Sequence, residues 1–161
     1  MARAYLALGS NLGDRLANLR EAVTRLEKNV HVEKISAVYE TEPWGVVEQP
    51  RFFNLVLAGE TELGPMALLE FVKSVEREMG RVETVRYGPR VIDVDVLLYD
   101  EVIVENDVLE IPHARMHERR FVLVPLAEIA PDATHPRLKK SARELLAQLP
   151  NAGDVHFFAA W

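Results

Sequence analysis

Asp93 and Asp95 stand two residues apart in the stretch RYGPRVIDVDVLLYD, Arg86 to Asp100. Around them, Val91, Ile92, Val94, Val96, Leu97 and Leu98 have the composition of a strand covered on both faces. Strand side chains repeat with period two, so both carboxylates point to one face. Two like charges about 7 Å apart beside apolar surface repel each other and resist desolvation. A bound cation removes that repulsion. Carboxylate oxygens are hard ligands, and magnesium is held by one or two carboxylates while substrate phosphates and water complete its octahedron. Arginines gather on both sides of the pair: Arg77, Arg81, Arg86 and Arg90 before it, Arg115, Arg119 and Arg120 after it. The guanidinium fork fits phosphate oxygens two at a time. A solvated helix face or a surface ion pair explains any one of these arginines, whereas two clusters flanking one acidic strand point to phosphate. Metal-binding carboxylates plus cations for developing charge are the parts that phosphoryl transfer needs.

Other chemistries lack their residues. LALGSNLGD has glycines after a strand but no lysine of a phosphate-cradling loop, and reads as a turn and helix cap. His113 and His117 are four apart, with neither an HExxH motif nor a third ligand to suggest zinc. His113 could donate to a phosphate, although a lone histidine after a proline is more often a turn residue. Phe52, Phe53 and Trp44 flank a long loop and read singly as core. Asn54 places an amide inside an apolar strand, where it needs a partner, and the edge of a heterocyclic ligand is one.

The elements that must position these groups follow from periodicity. Arg3–Gly9 reads as a strand. Asn11 reads as a helix cap, with Asp14 three residues on, before Leu16, Leu19, Val23 and Leu26 at helical spacing. Residues 30–41 and 52–60 read as strands, separated by a loop with two prolines and a glycine. A second helix starts near Pro65 and ends at Gly80, followed by a loop and the Asp strand. The order βαββαβ is the ferredoxin-like, α+β arrangement: an antiparallel sheet with both helices on one face. The first and last strands are expected side by side at the sheet centre. A short hairpin around END and a helical extension follow, with Pro125 breaking the helix near residues 117–130 and a last helix near 141–149.

The chain has 161 residues, 48% of them hydrophobic, which suits a single domain over residues 1–161. A net charge of -6 argues against broad binding to nucleic acid or anionic lipid. Without cysteine there is no disulfide framework or thiolate chemistry, and no apolar run reaches membrane length. A cytoplasmic monomer without membrane or nucleic-acid partners is the expectation.

GSNLGD, YETEPWGVVEQPRFFN, GRVETVRYGPRVIDVDVLLYD and IPHARMHERRFVLVPLAEIAPD together resemble the 6-hydroxymethyl-7,8-dihydropterin pyrophosphokinases of folate biosynthesis. The resemblance implies ATP as co-substrate, two Mg²⁺ ions, and transfer of the β,γ-pyrophosphoryl group to 6-hydroxymethyl-7,8-dihydropterin with release of AMP. It implies Asp93 and Asp95 as metal ligands. Arg81, Arg90, His113 and Arg119 fall at the triphosphate, with Glu76, Arg86 and Tyr87 also on the ATP side. Thr41, Pro43, Trp44 and Asn54 fall at the pterin, and Phe52 and Phe121 at its ring faces. The chain departs from the family pattern at Glu83, where many members have a loop arginine, in the loop from Arg81 to Arg90, one residue shorter than in some members, and at Phe52, a tyrosine in some members; Tyr87 stands where the family often has tryptophan. From the residues alone, two alternatives stand: another D-x-D phosphoryl or nucleotidyl transferase, and a non-catalytic ferredoxin-like ligand-binding module.

Overall fold

The computed structural model describes residues 1–43, 48–80, 89–150 and 154–161. Strand β1 (Ala2–Ser10) alternates strictly at first, sending Ala2, Ala4, Leu6 and Leu8 to one buried face. Helix α1 (Arg15–Leu26) buries Leu19, Ala22, Val23 and Leu26 against that face. Its N-cap is Asp14, which accepts from the Ala17 amide at 3.1 Å, so the expected cap at Asn11 shifts three residues on. Residues 31–41 form two strands, β2 (His31–Ile35) and β3 (Val38–Thr41), both paired with β4 (Phe52–Thr61). At the break, the Ser36 amide donates to Val56 O and the Ser36 hydroxyl accepts from the Val56 amide, so the ladder continues through a side chain. Helix α2 (Pro65–Glu78) has Pro65 in its first turn and Gly80, at φ +85°, just past its end. Strand β5 (Asp93–Tyr99) follows.

Beyond it come the hairpin β6 (Val104–Glu105) and β7 (Glu110–Ile111), a 3₁₀ turn (Met116–Glu118), helix α3 (Arg120–Ile129) and the short pair β8 (Thr134–His135) and β9 (Lys140–Ser141). Helix α4 (Ala142–Ala147) and strand β10 (Val155–Ala159) end the chain. Ser141 and Glu144 close a full capping box on α4. Pro125 does not break α3. It lies inside the helix and is buried with Val122, Leu123 and Leu126, so packing holds the helix through the lost hydrogen bond. The sequence reading has no counterpart to β10, whose Phe158 ring packs 4.2 Å from that of Phe53.

The antiparallel sheet has the order β10-β3-β4-β1-β5, with β2 also on β4. Helices α1 and α2 cover one face, as expected for a ferredoxin-like core. Helices α3 and α4 cover the other through Val122, Leu123, Leu126, Ala142 and Leu145. β1 and β5 are neighbours, but β5 lies at the edge rather than the centre. Its apolar composition reflects cover on both faces, not a central place. Its edge groups are occupied too: the Val94 amide donates to Glu76 Oε2 at 2.7 Å, and Leu97 O accepts from the His113 amide at 3.0 Å. A bulge at Leu97, skipped between the pairs Tyr5–Leu98 and Leu6–Val96, resets the alternation. Before it, Val94 and Val96 face α1 and α2; after it, Leu97 and Leu98 both join the α3 cluster.

One glycine is fixed by packing. A Cβ on Gly59 would lie 2.5 Å from the His31 backbone oxygen and 2.8 Å from Val30 Cγ1, whereas one on Gly64 would meet nothing within 4 Å. Gly59→Ala should therefore destabilise by about 1–3 kcal/mol, as overpacking does. Gly64→Ala meets no clash and should cost less, no more than about 1 kcal/mol from the N-cap position it holds on α2. Denaturant melts of both variants decide this, and equal stability would remove the close β2–β4 approach as a constraint.

Candidate active site

The register places small residues of β1 between the carboxylates of β5 and Asn54 of β4. Ala7 pairs with Asp95 on one side and Val56 on the other; Gly9 pairs with Asp93 and Asn54. Directly paired residues of an antiparallel sheet share a face. The result is a trough floored by Ala7 and Gly9, with the carboxylates along one bank and Asn54 along the other. Phe52, Thr41, Arg119, Phe121 and Val122 complete its walls. The start of α3 thus roofs a cavity whose floor is the sheet. Gly9 has no freedom to carry a side chain, because a Cβ there would lie 2.6 Å from Asn54 Oδ1 and 3.5 Å from Phe52 Cδ1. The sequence reading placed this glycine at the end of the first strand and gave it no role at the site; its place inside the apolar run LALGS was the available signal.

Each bank has its own chemistry. On the carboxylate bank, the Arg90 guanidinium lies 3.3 Å from Asp93 Oδ2, and His113 Nε2 lies 4.0 Å from Asp95 Oδ2. Burial and the neighbouring Asp93 push the Asp95 carboxyl up to about 7, opposed by the charge of Lys73 on α2. Burial and the Arg119 charge push His113 down to about 4, so it is neutral at physiological pH. Its Nδ1 accepts from the Arg115 amide at 3.2 Å, which leaves Nε2 as the protonated, donating nitrogen. Lys73 also lies 3.3 Å from Glu76 Oε1; sequence reading missed it, since a lone helical lysine carries no signal. On the other bank, Asn54 Nδ2 donates to Thr41 Oγ1 at 2.6 Å, both residues being buried. That bond orients the amide, while its Oδ1 lies beside Gly9 at the cavity floor. Phe52 and Phe121 line the cavity half-buried, whereas Phe53, on the opposite strand face, is core under the Arg15 guanidinium at 3.7 Å.

The structure therefore brings together Thr41, Phe52, Asn54, Asp93, Asp95, Arg119 and Phe121 in one cavity, with Arg90 and His113 on its carboxylate bank. Pro43 lies in an adjoining depression that shares Thr41 and Phe121 with it. Glu76 is buried behind β5, where its carboxylate holds the Val94 amide. Trp44, Arg81, Arg86 and Tyr87, with Glu83, lie outside the described residues.

A ferredoxin-like sheet that carries paired carboxylates beside arginines, with an aromatic and amide slot alongside, defines a phosphoryl-transfer enzyme. The family model described as 7,8-dihydro-6-hydroxymethylpterin-pyrophosphokinase (HPPK) matches residues 5–131. The chain is 44% identical over 144 residues to the 2-amino-4-hydroxy-6-hydroxymethyldihydropteridine pyrophosphokinase of Aquifex aeolicus, covering 89% of this chain and 90% of that one. It is 48% identical to the enzyme of the same name from Methylorubrum extorquens, over 95% of this chain and 97% of that one. Against the folic acid synthesis protein FOL1 of Dictyostelium discoideum it is 47% identical, spanning 94% of itself but only 23% of that longer protein. The crystal structure of Plasmodium falciparum HPPK-DHPS wild type shares the fold, with a TM-score of 0.73 at 16% identity over 91% of this chain and 44% of that one. The chain belongs to the 7,8-dihydro-6-hydroxymethylpterin-pyrophosphokinase family, and is thus an enzyme, a pterin pyrophosphokinase.

The raised Asp95 sets a pH dependence. A carboxyl whose folded value exceeds its unfolded one favours the fold while protonated; that contribution is complete below the unfolded value, 3.8, and is lost as pH rises through about 7. Metal-free protein should thus lose stability between about pH 4 and 7 through this group. Asp95→Asn should lack that loss and melt above the parent at pH 8 but not at pH 4.5. Parallel melting curves across the range would show that Asp95 does not carry the strain.

Proposed function

We propose that this chain transfers the β,γ-pyrophosphoryl group of ATP to the hydroxymethyl oxygen of 6-hydroxymethyl-7,8-dihydropterin. The hydroxymethyl oxygen forms a bond to the β-phosphorus, the bond from that phosphorus to the α-β bridging oxygen breaks, AMP leaves, and the hydroxyl proton is released. One observation carries the reading: Asp93 and Asp95 line the same small trough as Phe52, Asn54 and Phe121, so a polyphosphate site and a flat, hydrogen-bonding ring site adjoin. The carboxylate pair, strained by mutual repulsion and burial and made of hard oxygen donors, fits Mg²⁺, with two ions as the number the family implies. Bound there, Mg²⁺ would neutralise charge on the phosphates.

The remaining roles belong to the chain's own side chains. Arg90 and Arg119 hold phosphate oxygens, and neutral His113 donates from Nε2 without adding charge. Arg81, Arg86 and Tyr87 belong to the ATP side, which Glu76 supports from behind β5 by holding the Val94 amide. Asn54, oriented by Thr41, reads the pterin edge, Phe52 and Phe121 take the ring faces, Pro43 adjoins that slot, and the family resemblance assigns Trp44 to the pterin as well. A site built to bond a ring's polar edge rejects rings that lack those groups. The protein acts as a single domain and as a cytoplasmic monomer. No helix among the described residues is long and apolar enough to cross a membrane.

An assay with ATP, Mg²⁺ and the pterin alcohol should yield AMP and the pterin pyrophosphate. Asp93→Ala and Asp95→Ala should abolish turnover while the fold persists, and near-parental turnover in both would end the metal-ligand assignment.

The aromatic residues offer a second test of the same site. A core Phe→Ala change costs about 3–5 kcal/mol. Phe53→Ala should pay that cost and leave pterin affinity unchanged in the folded fraction. Phe121→Ala should melt only slightly lower, yet bind pterin far more weakly than the parent with ATP affinity preserved. Calorimetric titration reads both ligands. Normal pterin binding by a strongly destabilised Phe121→Ala would make Phe121 core.

A further inference from the structure

Asn11 lies where β1 leaves the sheet, two residues beyond Gly9, and is only 1% exposed. It is not a helix cap, and no part of the proposed chemistry uses it. Its amide Nδ2 donates to Gln49 Oε1 at 2.8 Å and to Pro50 O at 2.9 Å. Its Oδ1 accepts from the Arg90 amide at 2.7 Å, and its own backbone amide donates to Arg90 O at 3.0 Å. All its side-chain bonds therefore run to the segments that lead into β4 and β5. Those segments carry the two banks of the cavity: Phe52 and Asn54 follow Pro50, while Asp93 follows Arg90. We infer that Asn11 is a positioning residue, which pins the backbone of Arg90 on both its N–H and C=O and ties it to the start of the pterin bank.

The physical need is plain. Arg90 reaches Asp93 Oδ2 through a long side chain from a residue that lies outside any strand or helix. Without the Asn11 side chain, only the backbone bond from the Asn11 amide to Arg90 O and the Gly9–Asp93 pairing hold the chain from which that side chain starts, and a guanidinium shifted by about 1 Å can lose on the order of 100-fold in rate. A buried amide is suited to the task because it offers two donors and an acceptor in one plane, which can join two chain segments at once.

The inference rests on the proposed role of Arg90 at phosphate, so the test is a cycle with Arg90→Ala. Asn11→Ala should lower kcat by about 100-fold with little change in the pterin KM, and Asn11→Ala combined with Arg90→Ala should be no slower than Arg90→Ala alone. Asn11→Asp keeps the acceptor for the Arg90 amide and should recover part of the loss. If Asn11→Ala does not fold, Asn11→Ser replaces it in the same cycle. Additive losses in kcat, or Asp no better than Ala or Ser, would overturn the positioning role while leaving the activity intact. Full turnover by Arg90→Ala would instead sink the phosphate role of Arg90 itself, and with it the reason to position it.

Discussion

Two carboxylates on adjacent same-face positions of a strand cannot be pressed into apolar surroundings together, and the elements around β5 are arranged to that constraint. The strand sits at the sheet edge with Val94 and Val96 turned to the α1–α2 layer, which leaves Asp93 and Asp95 the opposite face. Across from them, β1 presents only Gly9 and Ala7. No large side chain covers the pair from the sheet, so the face stays open to a cavity instead of closing into core. Cations stand near without neutralising it fully: Arg90 is beside Asp93, while the charges of Lys73 and Arg119 reach Asp95. The proton that Asp95 keeps up to about pH 7 measures what is left uncompensated.

From this follows the division of labour within the sheet. β1 is the strand shared by both banks, reduced to Ala7 and Gly9 where it floors the site, and the two functional banks hang on its neighbours. The reverse face of the same three strands is filled by Leu6, Leu8, Leu55, Leu57 and Val94, and carries stability. Strand alternation alone separates the two tasks, so ligand chemistry on one face need not disturb packing on the other. The α3 layer closes the arrangement. Its first turn supplies Phe121 and Val122 to the cavity, while Leu123 and Leu126 anchor it to the second core cluster.

Much of this was legible in the residues, and what was not has physical reasons. The period-two spacing of Asp93 and Asp95 gave their shared face, and helical spacing gave α1 and α2, because side-chain direction is local. The place of β5 in the sheet was not, because an edge strand covered by helices, Glu76 and the His113 amide has the composition of a central one. The cap moved from Asn11 to Asp14 because Asn11 is engaged by partners 38 and 79 positions away, which no local pattern reveals. Pro125 was misjudged for the opposite cause: its local cost is real, but tertiary packing outweighs it. Strand β10 escaped notice since Phe157 and Phe158 are largely exposed and give no alternation. At the site, motif residues were found, while Gly9 and Lys73 were not: one acts by lacking a side chain, the other through space.

The bulge at Leu97 divides β5 into two segments whose facing rules are set independently. Upstream, the pleat decides which oxygens see the cavity; downstream, Leu97 and Leu98 bind the strand to the α3 layer whatever the upstream half carries. The downstream attachment therefore does not depend on the site-facing side chains Asp93 and Asp95, while Val94 and Val96 hold the upstream segment in the other core. A one-residue insertion or deletion near the bulge is also less damaging there than elsewhere in the sheet, because the ladder already tolerates an unpaired position. The irregularity thus acts as a joint, letting an anchor and a ligand-binding edge share seven consecutive residues.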